Sequence, residues 1–489
     1  MRTSPPRALL LATVALSGLS FALPNAAQAE TLRDALAAAY ESNPTLAAAR
    51  AGQRATDENV PIARADGLPS LGASITHTEQ VVQASNSFFS PDRILSFQGQ
   101  LVVPLYQGGV VRNTVRAAQT NVEAGQALLR ATEASVFSQV VAAYMDVLRD
   151  EATVALSRNN VEVLSVNLEA TRDRFDIGDL TRTDVAQSES RLAFARSQLQ
   201  GVEARLIGSR ESYIRLIGSA PQALSAPPPL PGFPDQVDAA VDAALADNPD
   251  LEAAKLDADA NGYSVRAARG GRLPRVSLTT NGGYSDFLGT VSAPAAATTT
   301  SATSGVTMSI PIFQGGRLAA RVRQAQARES QAMERLVGTE RSVIAQTRSA
   351  YATWRAASAV VESSMVAVAA SRLSLEGVRA ENSVGSRTIL DILNAEQELL
   401  NAQVQLVTAR RDAYVAGFTL LAAMGRGEAE DIGLDPASRY NPDTNYQRVR
   451  NRIWDWDSDP AAQPTAARTT DSTAQNAEVP AGQVPLLAQ

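Results

Sequence analysis

The chain repeats itself, and this duplication constrains the fold more than any other feature of the sequence. Asn43-Pro44-Thr45-Leu46 recurs as Asn248-Pro249-Asp250-Leu251, at an offset of about 205 residues. Val103 to Gly109, a Pro-Leu-Tyr-Gln-Gly-Gly junction, recurs as Ile310 to Gly316 at an offset of about 207. The period is too long for a solenoid, whose repeats are about 20 to 50 residues. The sequence therefore predicts two copies of one large structural unit.

The duplication sets the domain boundaries. We expect a first repeat at 30–221 and a second at 236–428, joined by a linker at 222–235 whose prolines forbid helix and favour an extended connection. Each repeat is expected to begin with a short helix. In the first, Thr31 can cap the helix together with Asp34, three residues later.

The two ends of the chain differ from the repeats. Residues 1–29 have a positive start, an apolar stretch and an Ala-Gln-Ala site, which predicts a signal peptide cleaved after Ala29. We expect 429–457 to pack on the helices, with Trp454 and Trp456 pinning it; anchoring at a membrane interface is the alternative for these two residues. Residues 458–489 are low in hydrophobic residues and are expected to be disordered.

The composition excludes several kinds of chemistry. The chain has no cysteine and one histidine, His77, so it cannot build a thiolate or multi-histidine metal site, a disulfide or a lipidated cysteine. His77 on a predicted strand is expected to face a lumen or an interface. A net charge of −7 argues against nucleic acid as a partner. We find no nucleotide motif or catalytic constellation, and we expect neither an enzyme nor a bound cofactor or metal.

Alternating hydrophobicity predicts four strands, near 70–82, 94–106, 275–288 and 305–313. Each is about ten residues long, the length at which a tilted strand crosses a bilayer. Loops at 83–93 and 289–304 would join them in pairs. The alternation alone equally fits a soluble antiparallel sandwich. The polar positions that would suit a wet lumen are Ser74, Thr76, Gln98, Gln100, Thr279 and Asn281.

Two very long helices are the next prediction. Residues 110–175 and 317–382 contain no proline and almost no glycine, and a helix of this length would measure about 100 Å. Apolar residues spaced by three, four or seven in the first indicate coiled-coil packing. Each helix ends at a glycine-containing turn, at Gly178 or Gly385, and is followed by a shorter returning helix. No later segment offers about 18 continuous apolar residues, so no transmembrane helix is expected.

These residues resemble the TolC-like outer membrane efflux and secretion channels over 31–457. The resemblance rests on the duplication, the Asn-Pro helix starts and the Gln-Gly-Gly junctions that follow the second strand of each pair. Above all it rests on two hairpin turns: Arg174-Phe-Asp-Ile-Gly-Asp-Leu-Thr-Arg-Thr-Asp-Val-Ala-Gln187 and Val384-Gly-Ser-Arg-Thr-Ile-Leu-Asp-Ile-Leu-Asn-Ala-Glu396.

The resemblance implies a mainly α fold with β. Its duplicated unit of long helical hairpins would form an α-barrel, and its four strands would join a trimeric twelve-stranded transmembrane β-barrel. It further implies a homotrimer in the outer membrane lipid of a Gram-negative bacterium, extending into the periplasm. The implied function is the exit duct of a tripartite efflux or type I secretion system. The implied partners are a periplasmic adaptor of the membrane-fusion type and an inner membrane pump of the RND or ABC type.

The resemblance also assigns a gate at the periplasmic tip. Asp391 matches a constriction acid, and Asn394 stands at the next ring position, where the family has a second acid. Arg387 matches the gate arginine, and Thr183 and Asp184 match its partners on the first hairpin. With one acidic ring, we expect weaker cation block than in members with two. Helix N-terminal capping is the competing explanation for Asp184 and Asp391.

The chain departs from the family pattern in a second place as well, because Asn382 replaces the usual aromatic residue before the second turn. The main alternative function is a periplasmic coiled-coil adaptor or scaffold without a barrel. Two hairpins at one register speak against an adaptor, and a scaffold would leave the alternating segments unexplained.

Overall fold

The computed structural model describes residues 29–82, 91–230, 232–288 and 298–479. The predicted signal peptide lies outside these residues except for Ala29, as does most of the predicted loop at 83–93. The described part of the first repeat contains five helices and two strands, in the order α1 (Leu32–Ser42), α2 (Pro44–Asp57), α3 (Asn59–Ala65), β1 (Ser70–Glu79), β2 (Arg93–Tyr106), α4 (Val110–Asp176) and α5 (Arg182–Ile217).

The second repeat has the same order of elements, with one helix fewer before its strands. Its elements are α6 (Val237–Asp247), α7 (Pro249–Gly270), β3 (Arg275–Leu288), β4 (Thr298–Ser309), α8 (Arg317–Ser383) and α9 (Ile389–Ala423). A last helix, α10 (Pro442–Val449), lies in the C-terminal segment. The predicted duplication of strand pairs and long helical hairpins is therefore confirmed.

The recurring Asn-Pro motif fastens the two ends of each repeat together. The Asn43 side chain caps α2 by accepting hydrogen bonds from the backbone of Thr45 and Leu46, and Asn248 caps α7 in the same way. Each amide also donates to the end of its returning helix. Asn43 Nδ2 lies 2.9 Å from the carbonyl oxygen of Leu216, and Asn248 Nδ2 lies 3.1 Å from that of Ala423. The motif thus holds the start of a repeat against its end.

The four strands form one antiparallel sheet in the order β1-β2-β3-β4. Because β1 and β4 are its edges, each has one side without a strand partner. Strand β4 starts at Thr298 and ends at Ser309, so the predicted bounds of 305–313 and the predicted loop to 304 are wrong. The Thr/Ser run at 298–304 lacks apolar residues at alternate positions, which is why the sequence pattern missed it.

The register separates an apolar face of the sheet from a polar one. Directly paired residues share a face, so the pairs Ile75–Phe97 and Leu71–Leu101 place apolar side chains together. Ser74 pairs with Gln98, and Gln100 pairs with Asn281, on the opposite face. The six polar positions selected from the sequence all lie on that face. His77 pairs with Leu95 on the apolar face, and its position at a lumen or an interface stays a prediction.

The long helices α4 and α8 have 67 residues each and are about 100 Å long. They pack against their returning helices α5 and α9. Helix α8 contains a window of mean hydropathy 1.2 that could cross a membrane by length and composition alone, and 6% of that window is buried. Helix α8 packs along α9 as one arm of a helical hairpin. That the chain has no transmembrane helix stays a prediction.

The largest buried cluster lies midway along the hairpins. Phe137, Tyr144 and Tyr213 are fully buried there, among residues of α1, α4, α5 and α9. The Tyr144 hydroxyl donates to the carbonyl oxygens of Glu30 and Ser225, at 2.9 and 2.7 Å, which ties the linker to the start of the first repeat. Trp354 stacks on Phe233 of the linker and packs at the base of the second hairpin.

The connection from β2 to α4 meets the end of α7 at a pair of glycines. A Cβ atom on Gly270 would lie 2.6 Å from the carbonyl oxygen of Gly108, and one on Gly108 would lie 2.5 Å from that of Gly270. Gly108 also has a φ of +62°, which disfavours any other residue. This contact sets how closely the end of α7 approaches the junction between β2 and α4.

Replacing Gly270 by alanine should therefore destabilise the fold, since two backbones would have to separate. Gly52→Ala is the matched control, because a Cβ there meets no atom within 4 Å and the position is an exposed helix interior. That change should stabilise the fold by about 0.5–1 kcal/mol. Thermal unfolding followed by circular dichroism measures both effects. Equal unfolding temperatures for the two variants would contradict the steric argument.

The C-terminal segment packs on the helices, but its tryptophans do not pin it. Ala429 and Leu434 are buried in the main cluster, while the side chains of Trp454 and Trp456 are 72% and 86% exposed. The prediction that these indoles hold the segment down is therefore wrong. Polar contacts of α10 with α2 and α4 hold it instead. Disorder of the tail stays a prediction for most of 458–489, although 475–479 lie against α4 and α5.

Candidate gate at the hairpin tips

The first hairpin turn joins α4 to α5. Gly178 has a φ of +83°, the left-handed conformation that glycine adopts without strain, and it ends α4. Arg174 and Asp179 bridge the turn with an ion pair of 2.6 Å. Thr181 then caps α5, accepting from the backbone N–H of Asp184, and the Asp184 carboxylate accepts from the backbone and hydroxyl of Thr181.

The second turn, between α8 and α9, is built in the same way. Gly385 has a φ of +80°, and Thr388 and Asp391 form the equivalent capping box. The Arg387 guanidinium donates to Glu381 at 2.7 Å, so it pairs within its own hairpin. Asn382, which replaces the expected aromatic residue, donates from Nδ2 to the carbonyl oxygen of Arg387 at 2.7 Å. It therefore supports the turn that carries Arg387.

Both capping acids are held in their charged form. Hydrogen bonds from the hydroxyl and the backbone of Thr181 lower the pKa of Asp184, and those from the backbone and hydroxyl of Thr388 lower that of Asp391. A carboxyl group whose pKa is lowered by folding stabilises the fold at any pH above its pKa in the unfolded chain. This stabilisation is lost as the pH falls through its pKa in the folded chain. Within one chain, these acids are helix caps, and a role at a constriction stays a prediction.

Contacts between the two hairpins lie just above the turns. The Arg191 guanidinium of α5 donates to Asn394 Oδ1 of α9 at 2.8 Å. The carboxylate of Glu396, also on α9, accepts from Asn167 of α4 at 2.9 Å and from Arg379 of α8 at 3.0 Å. Glu396 is buried, whereas Arg379 is half-exposed. Glu396 of α9 therefore connects the second hairpin to α4 of the first, and it also contacts α8 within its own hairpin.

Apolar packing accompanies these polar contacts. Leu393 of α9 is buried in a small cluster with Leu164, Leu168, Leu192 and Ala195, which belong to the first hairpin. The hairpins are thus joined by one apolar cluster and two polar links within the same two turns of α9. Separating the tips would expose the cluster and leave the Glu396 carboxylate with fewer partners. The two polar links and the apolar cluster would therefore be lost together.

The structure brings some of the expected gate residues together and leaves others apart. Asn394 contacts the opposite hairpin, whereas Arg387, Asp184 and Asp391 make their hydrogen bonds within their own turns. Thr183 is exposed and has no side-chain hydrogen bond within the described part of the chain. Sequence reasoning missed Asn167, Arg191 and Glu396. The available signal was Glu396 itself, an acid between Leu393 and Leu400 in an otherwise apolar seam.

Neither the tips nor the rest of the described ranges contain a cluster of His, Asp and Glu residues suited to a metal ion. Hydrogen bonds from half-exposed groups instead surround one buried carboxylate, that of Glu396. A role for these contacts in closing a channel stays a prediction.

Comparisons with known proteins identify relatives of the whole chain. The family model described as outer membrane efflux protein matches residues 35–219 and 240–426. The chain is 35% identical to the outer membrane efflux protein BepC of Brucella suis biovar 1 (strain 1330), over 91% of this chain and 95% of that protein. It is 28% identical to the outer membrane protein TolC of Escherichia coli (strain K12), over 96% and 98% of the two chains.

Solved structures agree at the level of the fold. The CmeC outer membrane channel of Campylobacter jejuni superposes with a TM-score of 0.71 at 17% identity, covering 92% of this chain and 98% of that one. The outer membrane protein VceC of Vibrio cholerae gives a TM-score of 0.69 at 23% identity, covering 81% and 96%. At these identities the likeness concerns the fold alone.

Proposed function

The chain belongs to the outer membrane efflux protein family, and from this premise we propose that it is the exit duct of a tripartite efflux or type I secretion system. It is a TolC-family outer membrane channel of a Gram-negative bacterium and not an enzyme. Membership implies a trimeric channel that works with an efflux system. A periplasmic adaptor or scaffold without a barrel is thereby excluded.

The sheet is the single observation that carries the proposal. A sheet with one apolar and one polar face, open at both edges, needs neighbours before it can lie in a membrane. Three chains can supply them, because β4 of one copy and β1 of the next run antiparallel. The apolar face would then meet lipid and the polar face would line a wet lumen in a twelve-stranded barrel.

The helical hairpins extend this barrel into the periplasm. Helices α4 and α8 are far longer than a globular core requires, and α8 leaves Met365, Val366 and Leu373 at least half-exposed in the isolated chain. These side chains support a neighbouring copy beside α8, which would close the helices into a tube. The periplasmic end of this tube would meet a periplasmic adaptor of the membrane-fusion type and an inner membrane pump of the RND or ABC type. The chain carries no nucleotide-binding motif of its own.

The gate of this duct would be the hairpin tips. Arg387, Thr183, Asp184, Asp391 and Asn394 occupy the tip region, and Gly178 and Gly385 permit the two turns. Three copies of Asp391 near one axis would attract cations. The links from α9 to the first hairpin, through Asn394 and Glu396, support a closed state that opens when the hairpins separate. The two segments that the family model matches, 35–219 and 240–426, support a repeat boundary at 221 and another at 236.

Substituted cysteines test the barrel directly, since the natural chain has none. Gln98→Cys on the polar face should react with a charged, water-soluble thiol reagent in outer membrane preparations. Phe97→Cys, one residue earlier on the apolar face, is the matched control and should be protected by lipid. Mass spectrometry of the labelled chain gives both yields. Equal labelling of the two positions, or recovery of the protein in the soluble periplasm, would refute the channel model.

A further inference from the structure

We propose that residues 451–459 form an interfacial anchor, hereafter the tryptophan turn, which inserts Ile453, Trp454 and Trp456 among the phospholipid headgroups at the periplasmic base of the barrel. The proposal requires the sheet to lie in the outer membrane but does not depend on the gate or on any export partner. It is argued from the path of the C-terminal segment, the exposure of three side chains and the charge around them.

The C-terminal segment runs toward the barrel. Asp443 accepts a hydrogen bond from Gln126 of α4, and Tyr446 packs near Val115, which is eleven residues closer to the start of that helix. Further along, the backbone of Arg450 accepts from Arg64 at the end of α3. Helix α3 is followed by strand β1 after four residues. Each successive contact therefore lies nearer the sheet, and the tryptophan turn follows the last of them.

Within the tryptophan turn the chain reverses direction, so the apolar residues at the reversal lie nearest the barrel. Arg448 pairs with Asp459 at 2.6 Å, and Arg452 pairs with Asp457 at 3.0 Å, so the two arms of the turn are joined. The Arg448 pair lowers the pKa of Asp459, which keeps that acid charged at neutral pH. Between the arms, Ile453, Trp454 and Trp456 are 74%, 72% and 86% exposed. A braced turn thus presents three large apolar side chains to the surroundings.

A basic band surrounds the same level of the molecule. The segments 105–116, 264–275 and 310–323, which connect β2 to α4, α7 to β3 and β4 to α8, contain nine arginines but no acid. The fourth connection, from α3 to β1, contains Asp66. All nine arginines are exposed, and none forms an ion pair within the residues that the structure describes. They are Arg112, Arg116, Arg266, Arg269, Arg272, Arg275, Arg317, Arg321 and Arg323. The chain as a whole has a net charge of −7, whereas this band is positively charged. It can therefore attract the negatively charged phosphate groups of lipids.

These features together favour lipid over a protein partner. The apolar face of the sheet ends where the basic band begins, so the edge of the bilayer must lie near that level. Tryptophan is enriched there because its ring is apolar and its N–H can reach the polar layer. Arginine complements the phosphates in the same layer. The chain has no cysteine for a lipid anchor, and the tryptophan turn would add an attachment outside the barrel.

Fluorescence of the full-length trimer in vesicles tests the proposal. The chain has three tryptophans, and Trp354→Phe leaves only the two of the turn. Vesicles of phosphatidylethanolamine and phosphatidylglycerol, brominated near the top of the acyl chains, should quench about half of the emission of this variant relative to unbrominated vesicles. Quenching to that extent supports insertion of the turn among the headgroups.

The double variant Trp454→Phe/Trp456→Phe is the control. It retains Trp354, which stacks on Phe233 and lies about 55 Å along α8 from the barrel. Its emission should not change with bromination. An unquenched, red-shifted emission from the Trp354→Phe protein would place the turn in water, and an unquenched, blue-shifted one would place it against another copy. Either result overturns the proposal while leaving the channel model intact.

Discussion

Replacing Glu396 by alanine is expected to shift the closed duct toward its open state and to raise its single-channel conductance in planar bilayers. The substitution removes the carboxylate that accepts from Asn167 of the first hairpin and Arg379 of the second. Hydrogen bonds to a charged group contribute about 1.5–3 kcal/mol each, and partial exposure reduces that value here. Loss of about 1.4 kcal/mol per chain corresponds to a tenfold change in the ratio of open to closed tips.

Glu398→Ala is the matched control for this experiment. It lies on the same helix two residues later, is exposed, and forms no ion pair in the described part of the chain. It therefore removes the same charge without the contacts. An increase in conductance in both variants would assign the effect to charge alone, and an increase in neither would remove Glu396 from the gate.

Two further variants, Arg387→Ala and Asp184→Ala, test the gate residues that the family resemblance implies. They distinguish the role of these residues from that of the hairpin contacts seen in this chain. Both residues bond within their own turns, so their role in closure would depend on contacts with another copy. Unchanged conductance in both, beside a response to Glu396→Ala, would leave Asp184 as a helix cap. The closing interaction would then reside in the links between α4, α5 and α9.

Replacing Arg210 by alanine should cause the largest loss of stability. Its guanidinium pairs with Glu151 at 2.7 Å, and both side chains are about nine-tenths buried. Burial raises the pKa of Glu151 even though Arg210 favours its charged form. Removing one partner of a buried pair costs about 3–5 kcal/mol, because the remaining charge has no compensating partner. The variant should unfold at a clearly lower temperature in detergent, as followed by circular dichroism.

The double variant Glu151→Leu/Arg210→Met distinguishes the pair from the rest of the site. Replacing both charges by apolar side chains of similar volume should restore most of the stability. Arg210 also donates to the carbonyl oxygens of Asn476 and Glu478, at 2.7 and 2.9 Å. Both variants should therefore release 475–479 to limited proteolysis, while only the single variant loses stability. An equally unstable double variant would show that the tail contacts, not the unpaired acid, cause the loss.

Much of the fold was predictable because its signals are local. The Thr31–Asp34 capping box, the proline-free helices ending before Gly178 and Gly385, and the alternation at Leu71 to Ile75 each act within a few residues. The proline-free long helix that ends before a glycine recurs in the second repeat, whereas the N-cap of α6, Gln236, makes no side-chain capping hydrogen bond. The residues assigned to the gate lie in or next to the two turns, and their role there stays a prediction.

Some of the remaining features depend on residues far apart in the chain. Glu396 could be recognised as an unusual acid in an apolar seam, but its partner Asn167 is 229 positions away. Trp454 and Trp456 are a different case, since the ion pairs Arg448–Asp459 and Arg452–Asp457 that fold their segment back are local. Such pairs of charged residues leave no hydrophobic periodicity in the sequence, so the prediction that the indoles pin the segment on the helices missed their exposure.

The paired asparagine caps have a consequence for the symmetry of the assembly. Because Asn43 and Asn248 bring the start of each repeat against its end, each half of the chain forms one closed structural unit of the helical wall. A trimer then contains six such units and has an approximate sixfold axis that coincides with its exact threefold axis. Residues that differ between the repeats, such as Asn394 where the first repeat has Gln187, make the contacts on the two sides of a unit unequal.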